Sequence, residues 1–423
     1  MNVLVIGSGG REHAIIRSLA KSQLVKKIFA SPGNAGTSSE AENVVLTLKN
    51  HVSVIQFCQI QKIDLVLIGP EEFLVDGLCD SLRAANILAV GPSKEAAKLE
   101  GSKIFAKSFM EKAQVPTAKA VIVDSVASTL KAASQFTPPY ILKADGLASG
   151  KGVFICKSIE ALGQSARKLF EEKIFGDAGA RALLEQNLPG TELSFIVLTN
   201  GSDYQALPLA QDHKRLLNKN AGPNTGGMGT VAPLQISGAL YLKIIQQIIE
   251  PTIQQFKQSE FLFRGALFVG LMIVNDEPYA LEYNVRFGDP ETQVILPLLK
   301  NDLAKVFHQL AQGQLEKLEF NKSCAVCLVN AAPGYPDQPK KDIPIQLPDK
   351  FIKDDAYVLH AGTQKDENGK LISSGGRVLN VIAVASDFKV AKGKALELNS
   401  RIVFPGRLFR TDIGDYQFQR SAN

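Results

Sequence analysis

Short apolar runs, each stopped by a Gly or Pro turn, set the rhythm of the first hundred residues. Runs at 3–6, 27–30, 65–68 and 87–90 alternate with helical stretches, the pattern of a parallel sheet with crossover helices. Such sheets collect ligands beyond the carboxyl ends of their strands, which singles out the turns at 7–10, 69–71 and 91–93. From about 102 to 318 the pattern changes to α+β. The spacing predicts a helix over Lys103–Lys112 that stops before Val115-Pro116, a compact stretch of strands, glycine loop and helix over about 117–186, and a long Gly/Asn/Pro-rich loop over 212–233. The last hundred residues hold strand-like runs at 324–330, 356–360 and 377–384 separated by turns, and read as a small mixed domain. The expected fold class is α/β and α+β multidomain, divided as 1–102, 103–322 and 323–423.

A chain of 423 residues suits three or four units of roughly 100 to 200 residues. With 45% hydrophobic and 21% charged residues it falls in the ordinary globular range. The 47 Lys+Arg against 42 Asp+Glu give +5, a surplus too weak and scattered to point to nucleic acid, though it suits small anionic molecules. No apolar run approaches membrane-spanning length, and Met1 leads directly into a strand-like run; a cytoplasmic protein with an intact N-terminus, bound neither to membrane nor to nucleic acid, is expected. Five cysteines argue against a disulfide framework. The Cys324/Cys327 pair lies in a run that reads as a buried strand, so both are expected as core residues, with a metal or redox role as the alternative.

Two glycine loops carry candidate chemistry. In Val5-Ile-Gly-Ser-Gly-Gly-Arg-Glu-His-Ala14 the glycines fall between strand and helix, where bare N–H groups and the positive helix end can hold an anion. A dinucleotide fingerprint needs a third glycine where Glu12 stands, and that carboxylate opposes a pyrophosphate. Three readings stay open for this turn: a site for a phosphorylated substrate, a tight connection without ligand and, least favoured, a site for a nucleotide-type cofactor. The second loop, Leu142-Lys-Ala-Asp-Gly-Leu-Ala-Ser-Gly-Lys-Gly152, follows one strand-like run and precedes another, Val153–Cys156. It lacks the order of a phosphate-binding loop that opens a helix, and reads as a glycine hairpin with Lys143 on the strand and Lys151 at the tip.

Further on, Leu183-Leu-Glu-Gln-Asn-Leu-Pro-Gly-Thr-Glu-Leu-Ser194 is a strand, a turn and a second strand carrying Glu192, a carboxylate able to accept two hydroxyl bonds. In Leu281-Glu-Tyr-Asn-Val-Arg-Phe-Gly-Asp-Pro-Glu-Thr-Gln293, Glu282 and Asn284 lie two apart on a strand and so share a face. They offer one carboxylate and one amide oxygen, hard ligands of the kind Mg²⁺ takes when phosphates fill its other positions. Arg286 continues that face and Asp289 lies in the turn beyond.

These motifs, with Gly222-Pro-Asn-Thr-Gly-Gly-Met-Gly229, His360-Ala-Gly-Thr363 and Ser374-Gly-Gly-Arg-Val378, resemble in order and over essentially the whole chain the phosphoribosylamine-glycine ligase family of the ATP-grasp superfamily. Two departures stand out: Asn220 where the family usually carries Asp, and Thr230-Val-Ala-Pro233 where it usually has Ala-Tyr-Ser-Pro. The resemblance implies an N-terminal α/β domain, a central ATP-grasp domain whose lid subdomain covers about 117–186, and a C-terminal domain. It implies ligation of glycine to 5-phosphoribosylamine with ATP as cosubstrate and Mg²⁺, or Mn²⁺, as cofactor, in a monomer. By the same resemblance Lys103 and Lys143 contact ATP phosphates, Gly150, Lys151 and Gly152 close over them, Glu185 and Glu192 hold adenine and ribose, and Glu282 and Asn284 hold the metal. Asp212, Arg286 and Asp289 are placed near glycine and its activated form. Gly9, Gly10, Pro70, Glu71, Asn224, Arg286 and Arg377 are placed at the phosphoribosyl substrate. A ligase for another carboxylate is disfavoured by the run from Arg286 to Gln293, and a nicotinamide-dependent oxidoreductase by Glu12.

Overall fold

The computed structural model describes residues 1–148, 151–259, 261–348 and 355–415. The N-terminal runs form parallel strands Leu88–Pro92, Leu65–Ile68, Asn2–Gly7 and Lys27–Pro32, side by side in that order, with Glu42–Asn43 at the edge. Their middles are buried on both faces, which is why they read as continuous apolar runs. The sheet continues past residue 102. Strand Phe263–Val274 pairs with Leu88–Pro92 through Phe263↔Pro92 and Arg264↔Gly91 and brings Thr191–Thr199, Tyr204–Ala206 and Glu277–Asn284 with it, giving one nine-stranded sheet.

Strand alternation splits the central part of this sheet into two chemistries. Leu193, Phe195, Val197, Leu267, Val269, Leu271, Tyr283 and Val285 all enter one apolar core. There Phe195 meets Tyr241 edge-on and Phe109 meets Tyr283, while the Tyr283 hydroxyl bonds Thr252 at 2.6 Å. Neighbours one position along, Glu192, Ser194, Glu282 and Asn284, therefore take the other face. The register slips by one residue opposite Gly270/Leu271, pairing Leu271 with Ala280 but Gly270 with Glu282. Leu281 is the extra residue of a bulge.

A second sheet, of strands Ala120–Val123, Ala182–Glu185, Tyr140–Ala144 and Val153–Cys156 in that order, forms the lid expected over 117–186. It repeats the division. Val123, Leu142, Ala144, Cys156, Ala182 and Leu184 pack beneath helices Val126–Ala132 and Ile159–Phe170. The opposite face carries Ile122, Ile155 and Val153, all exposed, together with Lys143 and Glu185, which share it by register.

The stretch 212–233 is not the plain loop its composition predicts. Strands Gln211–Asp212 and Gly229–Ala232 bracket a small hairpin of Arg215–Leu217 and Ala221–Asn224. Gly229–Ala232 then pairs with Cys324–Ala331 and joins the five-stranded C-terminal sheet. The departure at 230–233 belongs to this strand, where Val231 is buried in the C-terminal core. All five cysteines are free, with Cys327 buried and Cys324 partly so. Among the described residues no helix is long and apolar enough to cross a membrane.

Phe195 and Glu192 sit on opposite faces of one strand, so their loss should differ sharply. Phe195→Ala is expected to cost about 3–5 kcal/mol of unfolding free energy as a core cavity. Glu192→Gln should stay within about 0.5 kcal/mol. Chemical denaturation of both variants checks this, and equal losses would show the faces to be wrongly assigned.

Candidate active site

The polar face of the central sheet and the exposed face of the lid sheet converge on one cleft. Glu282 stands exposed to it. Burial raises the Glu282 pKa, but Lys143, Lys103 and Lys214 together outweigh that and hold it below the ordinary carboxylate value. Gly270 faces it across the strand pair, and a Cβ there would come within 3.2 Å of Glu282 Cγ. Asn284 is buried. Its amide nitrogen points at Glu282 Oε1 at 3.5 Å and its oxygen accepts from Arg286 Nη2 at 3.3 Å. The two side chains thus share a face as the spacing implies, and a carboxylate with an amide oxygen suits Mg²⁺. The amide has to turn before its oxygen can serve as a ligand. Among the described residues no group of three His, Cys, Asp or Glu side chains could hold a metal.

The Glu185 side chain is turned away from any base: it is 2% exposed and takes Lys107 Nζ at 2.8 Å on one oxygen and Lys143 Nζ at 2.6 Å on the other, which leaves the backbone of this hinge as the part expected at adenine. A buried carboxylate needs this pairing, and the two lysines outweigh burial to keep its pKa low. Lys103 opens its helix, whose first turn is fastened to the glycine hairpin: Asp145 Oδ1 accepts from Ser102 Oγ at 2.7 Å and from the Ile104 amide at 2.9 Å. Lys151 is exposed, Gly152 is buried and its carbonyl accepts from the Ala144 amide. Gly150 lies outside the described residues.

Beyond Asn284 the site becomes a network of arginines and acids. Arg286 reaches Glu100 at 2.9 Å and Glu71 at 3.5 Å, and despite burial these two acids strengthen its hold on its proton. Pro70 caps the helix that Glu71 opens. Asp289 accepts from Gln293 at 2.7 Å and lies 3.4 Å from Arg377; Arg377 and Arg11 outweigh burial and lower its pKa. Arg377 also donates at 2.7 Å to the Gly226 carbonyl, bringing the end of the 213–229 segment to the same place. Asp212 pairs with Lys214 at 2.8 Å. Glu291, whose pKa burial raises, accepts from Ser194 at 2.8 Å. Asn224 is exposed on the hairpin, paired with Arg215.

At the first glycine turn, Glu12 occupies the place of an anion. Its carboxylate accepts from the Gly9 amide at 2.7 Å, pairs with Arg11 at 2.5 Å and is 1% exposed. A Cβ on Gly69 would lie 1.8 Å from Glu12 Oε1, and one on Gly10 would lie 2.3 Å from Asn380 Nδ2. The turn is thus closed by its own helix, Gly10 packs against the C-terminal sheet, and a phosphate would have to bind beside Glu12, not in its place. Sequence reasoning passed over Lys107, Lys214, Glu100 and Glu291. Of these, Glu291 falls inside a quoted motif and Lys214 lies two residues after the chosen Asp212, whereas Lys107 and Glu100 carry no local signal.

Known proteins place this geometry. The chain matches the phosphoribosylglycinamide synthetase N domain over residues 1–100, the ATP-grasp (A) domain over 101–292 and the C domain over 325–416. It is 38% identical over 416 residues to a phosphoribosylamine–glycine ligase of Caldanaerobacter subterraneus, covering 98% of this chain and 99% of that one. It is 41% identical to the trifunctional purine biosynthetic protein adenosine-3 of Gallus gallus, of whose length the match spans only 42%. The crystal structure of a Thermotoga maritima phosphoribosylamine–glycine ligase superimposes with a TM-score of 0.86 at 35% identity, over 98% of this chain and 100% of that chain.

Two histidines outside the cleft give a pH dependence. His213 accepts from the Gly414 amide at 3.0 Å, and burial lowers its pKa to about 4. Burial, with His13 adding, lowers that of His360 to about 3. An unfolded chain protonates both near the ordinary value of about 6.5. The folded state does not follow, so stability should fall as pH drops below about 6.5 and continue to fall towards the folded values. The carboxylates Glu71, Glu185, Glu282 and Asp289, held low in the fold, add their own loss only below about pH 4.5. Denaturant midpoints at pH 7, 6 and 5 test the histidine window; identical midpoints would refute it.

Proposed function

The chain belongs to the phosphoribosylglycinamide synthetase family, and we propose that it joins glycine to 5-phosphoribosylamine with ATP, giving glycinamide ribonucleotide, ADP and phosphate in de novo purine biosynthesis. The observation that carries this reading is the convergence, within a chain that matches the family end to end, of Lys143 from the lid sheet, Lys103 from the start of its helix and Lys214 from the segment after Asp212 on Glu282, beside Asn284.

A carboxylate does not acylate an amine at neutral pH, because oxide is too poor a leaving group. In the proposed sequence a glycine carboxylate oxygen attacks the γ-phosphorus, the bond to the β-phosphate oxygen breaks, and ADP leaves. The amine then attacks the acyl carbon of glycyl phosphate and expels orthophosphate, losing its proton to the surroundings. Such a reaction is governed by positioning and by charge neutralisation, and it needs no protein nucleophile.

Lys103 and Lys143 are assigned to the phosphates, Lys151 and Gly152 to the cover over them, and Glu192 to the ribose hydroxyls. Ile122, Val153 and Ile155 give the base an apolar wall, and their exposure in the free protein fits a face that waits for a flat apolar partner. Glu282 and Asn284 would hold Mg²⁺, which when bound supplies charge neutralisation to the phosphates. Arg286, Asp289, Asp212 and Lys214 are assigned to glycine and the acyl phosphate. Gly9, Gly10, Pro70, Glu71, Asn224 and Arg377 are assigned to the phosphoribosyl group. Five free thiols suit the cytoplasm.

ADP and orthophosphate should form only when glycine and the amine are both present. Stoichiometric pyrophosphate would overturn the acyl-phosphate route. Glu282→Gln keeps the shape and removes the charge; kcat should fall on the order of 10²-fold or more while the melting temperature stays near that of the parent. A variant with parental kcat across a Mg²⁺ series would remove Glu282 from the metal site.

A further inference from the structure

Lys107 lies beneath the cleft, on the inner side of Glu185, and no motif marks it. Its side chain is 8% exposed, and its ammonium has three partners: Glu185 Oε1 at 2.8 Å, Thr117 Oγ1 at 2.9 Å and the Ala118 carbonyl at 3.0 Å. An ammonium has three N–H donors, so Lys107 is saturated and fixed. Thr117 is itself tied to the Ala280 carbonyl at 2.7 Å, beside the bulge that aims Glu282. Lys143 takes the other oxygen of Glu185 at 2.6 Å and lies on the lid face that turns to the cleft.

The charge count of this buried group decides what it can do. Glu185 alone with Lys143 would be neutral, and a buried neutral pair offers little to a phosphate. With Lys107 added, the group carries one surplus positive charge. Since Lys107 has no free donor, the surplus is delivered through Lys143. Burial, with the charge of Lys143 adding, holds Lys107 below the ordinary lysine pKa even against Glu185, whereas Lys143, which despite its own burial also feels Glu282 and Glu192 in the cleft, is held above it.

We propose that Lys107 is a positioning residue for nucleotide: it neutralises Glu185 permanently and so frees the charge of Lys143 for ATP phosphates. This rests on the nucleotide reading of the cleft given above. Lys107 touches no substrate itself; it acts through Glu185.

Calorimetric binding of Mg·AMP-PNP, with steady-state kinetics, separates this from a purely structural role. Lys107→Met should weaken binding by about tenfold or more, the scale of one lost buried charge pairing, and should raise the KM for ATP more than it lowers kcat. Lys107→Arg, which keeps the charge, should stay within about threefold. Adding Glu185→Gln to Lys107→Met removes the charge that captures Lys143 and should restore most of the affinity. If Lys107→Met does not fold, Glu185→Gln alone decides: it should bind at least as tightly as wild type, and weaker binding would mean that Glu185 serves nucleotide directly. Wild-type affinity in Lys107→Met, or a double variant no better than the single one, overturns the proposal. A wild-type protein that does not bind Mg·AMP-PNP at all overturns the nucleotide reading, and this inference with it.

Discussion

The register between strands Phe263–Val274 and Glu277–Asn284 determines which side chains meet the cleft. A β-strand has a period of two, so a slip of one residue exchanges its faces. Tyr283 and Val285 are pinned in the core opposite Val269 and its neighbours, which forces Glu282 and Asn284 outward. Upstream, Ala280 is equally pinned by its pairing with Leu271 and by the bond from its amide to the Pro116 carbonyl. Between Ala280 and Glu282 the count does not fit an unbroken ladder, and Leu281 absorbs the difference. The bulge is therefore the adjustment that lets a well-packed core and a correctly aimed carboxylate coexist on one strand.

From that strand the rest of the site is held by charge. Arg286 is two residues beyond Asn284, and its guanidinium is secured by Glu100 and Glu71 from the N-terminal part. Glu100 also accepts from the Val285 amide at 2.7 Å, so one carboxylate fixes both the backbone and the side chain of the motif. Removing one member of such a buried pair costs about 3–5 kcal/mol, more than a surface ion pair, whose worth is about 0–1 kcal/mol. The Lys107–Glu185–Lys143 group works likewise at the lid. Each cluster joins elements from different parts of the chain, and the cleft keeps its shape because these buried charges cannot separate cheaply.

Much of this was legible in the sequence because it is local. The helix Lys103–Lys112 and the strand Val153–Cys156 have the bounds the pattern predicts, and the two-residue spacing of Glu282 and Asn284 places them on one face. What escaped is long-range. The partner of the Glu185 carboxylate could not be read, because nothing nearby shows that a lysine 78 positions earlier will reach it. Glu100 is an unremarked acid at a helix end until Arg286 folds onto it. Strand Gly229–Ala232 looked like loop because it is short and follows glycines, and its identity as a strand depends on Cys324–Ala331 almost a hundred residues later.

The departure at Asn220 lies at the exposed edge of a buried charge pair. Asn220 accepts from Arg410 Nη1 at 3.0 Å, while Asp412 holds the same guanidinium at 2.8 and 2.9 Å. Arg410 is fully buried, so its charge must be met, and Asp412 meets it with two parallel bonds, the strong geometry for this pair. Asn220 itself is exposed, so a carboxylate there would be solvated and nothing in the structure explains why an amide stands in its place. The amide needs only to supply an acceptor, which it does. The hairpin remains fastened to the C-terminal segment, since Lys219 donates its amide to Asp412 at 2.6 Å and Asn218 accepts from the Thr411 amide at 3.1 Å. The segment that ends at Gly226 and Arg377 is thus anchored at its far side by a charge pair lying wholly outside the motif.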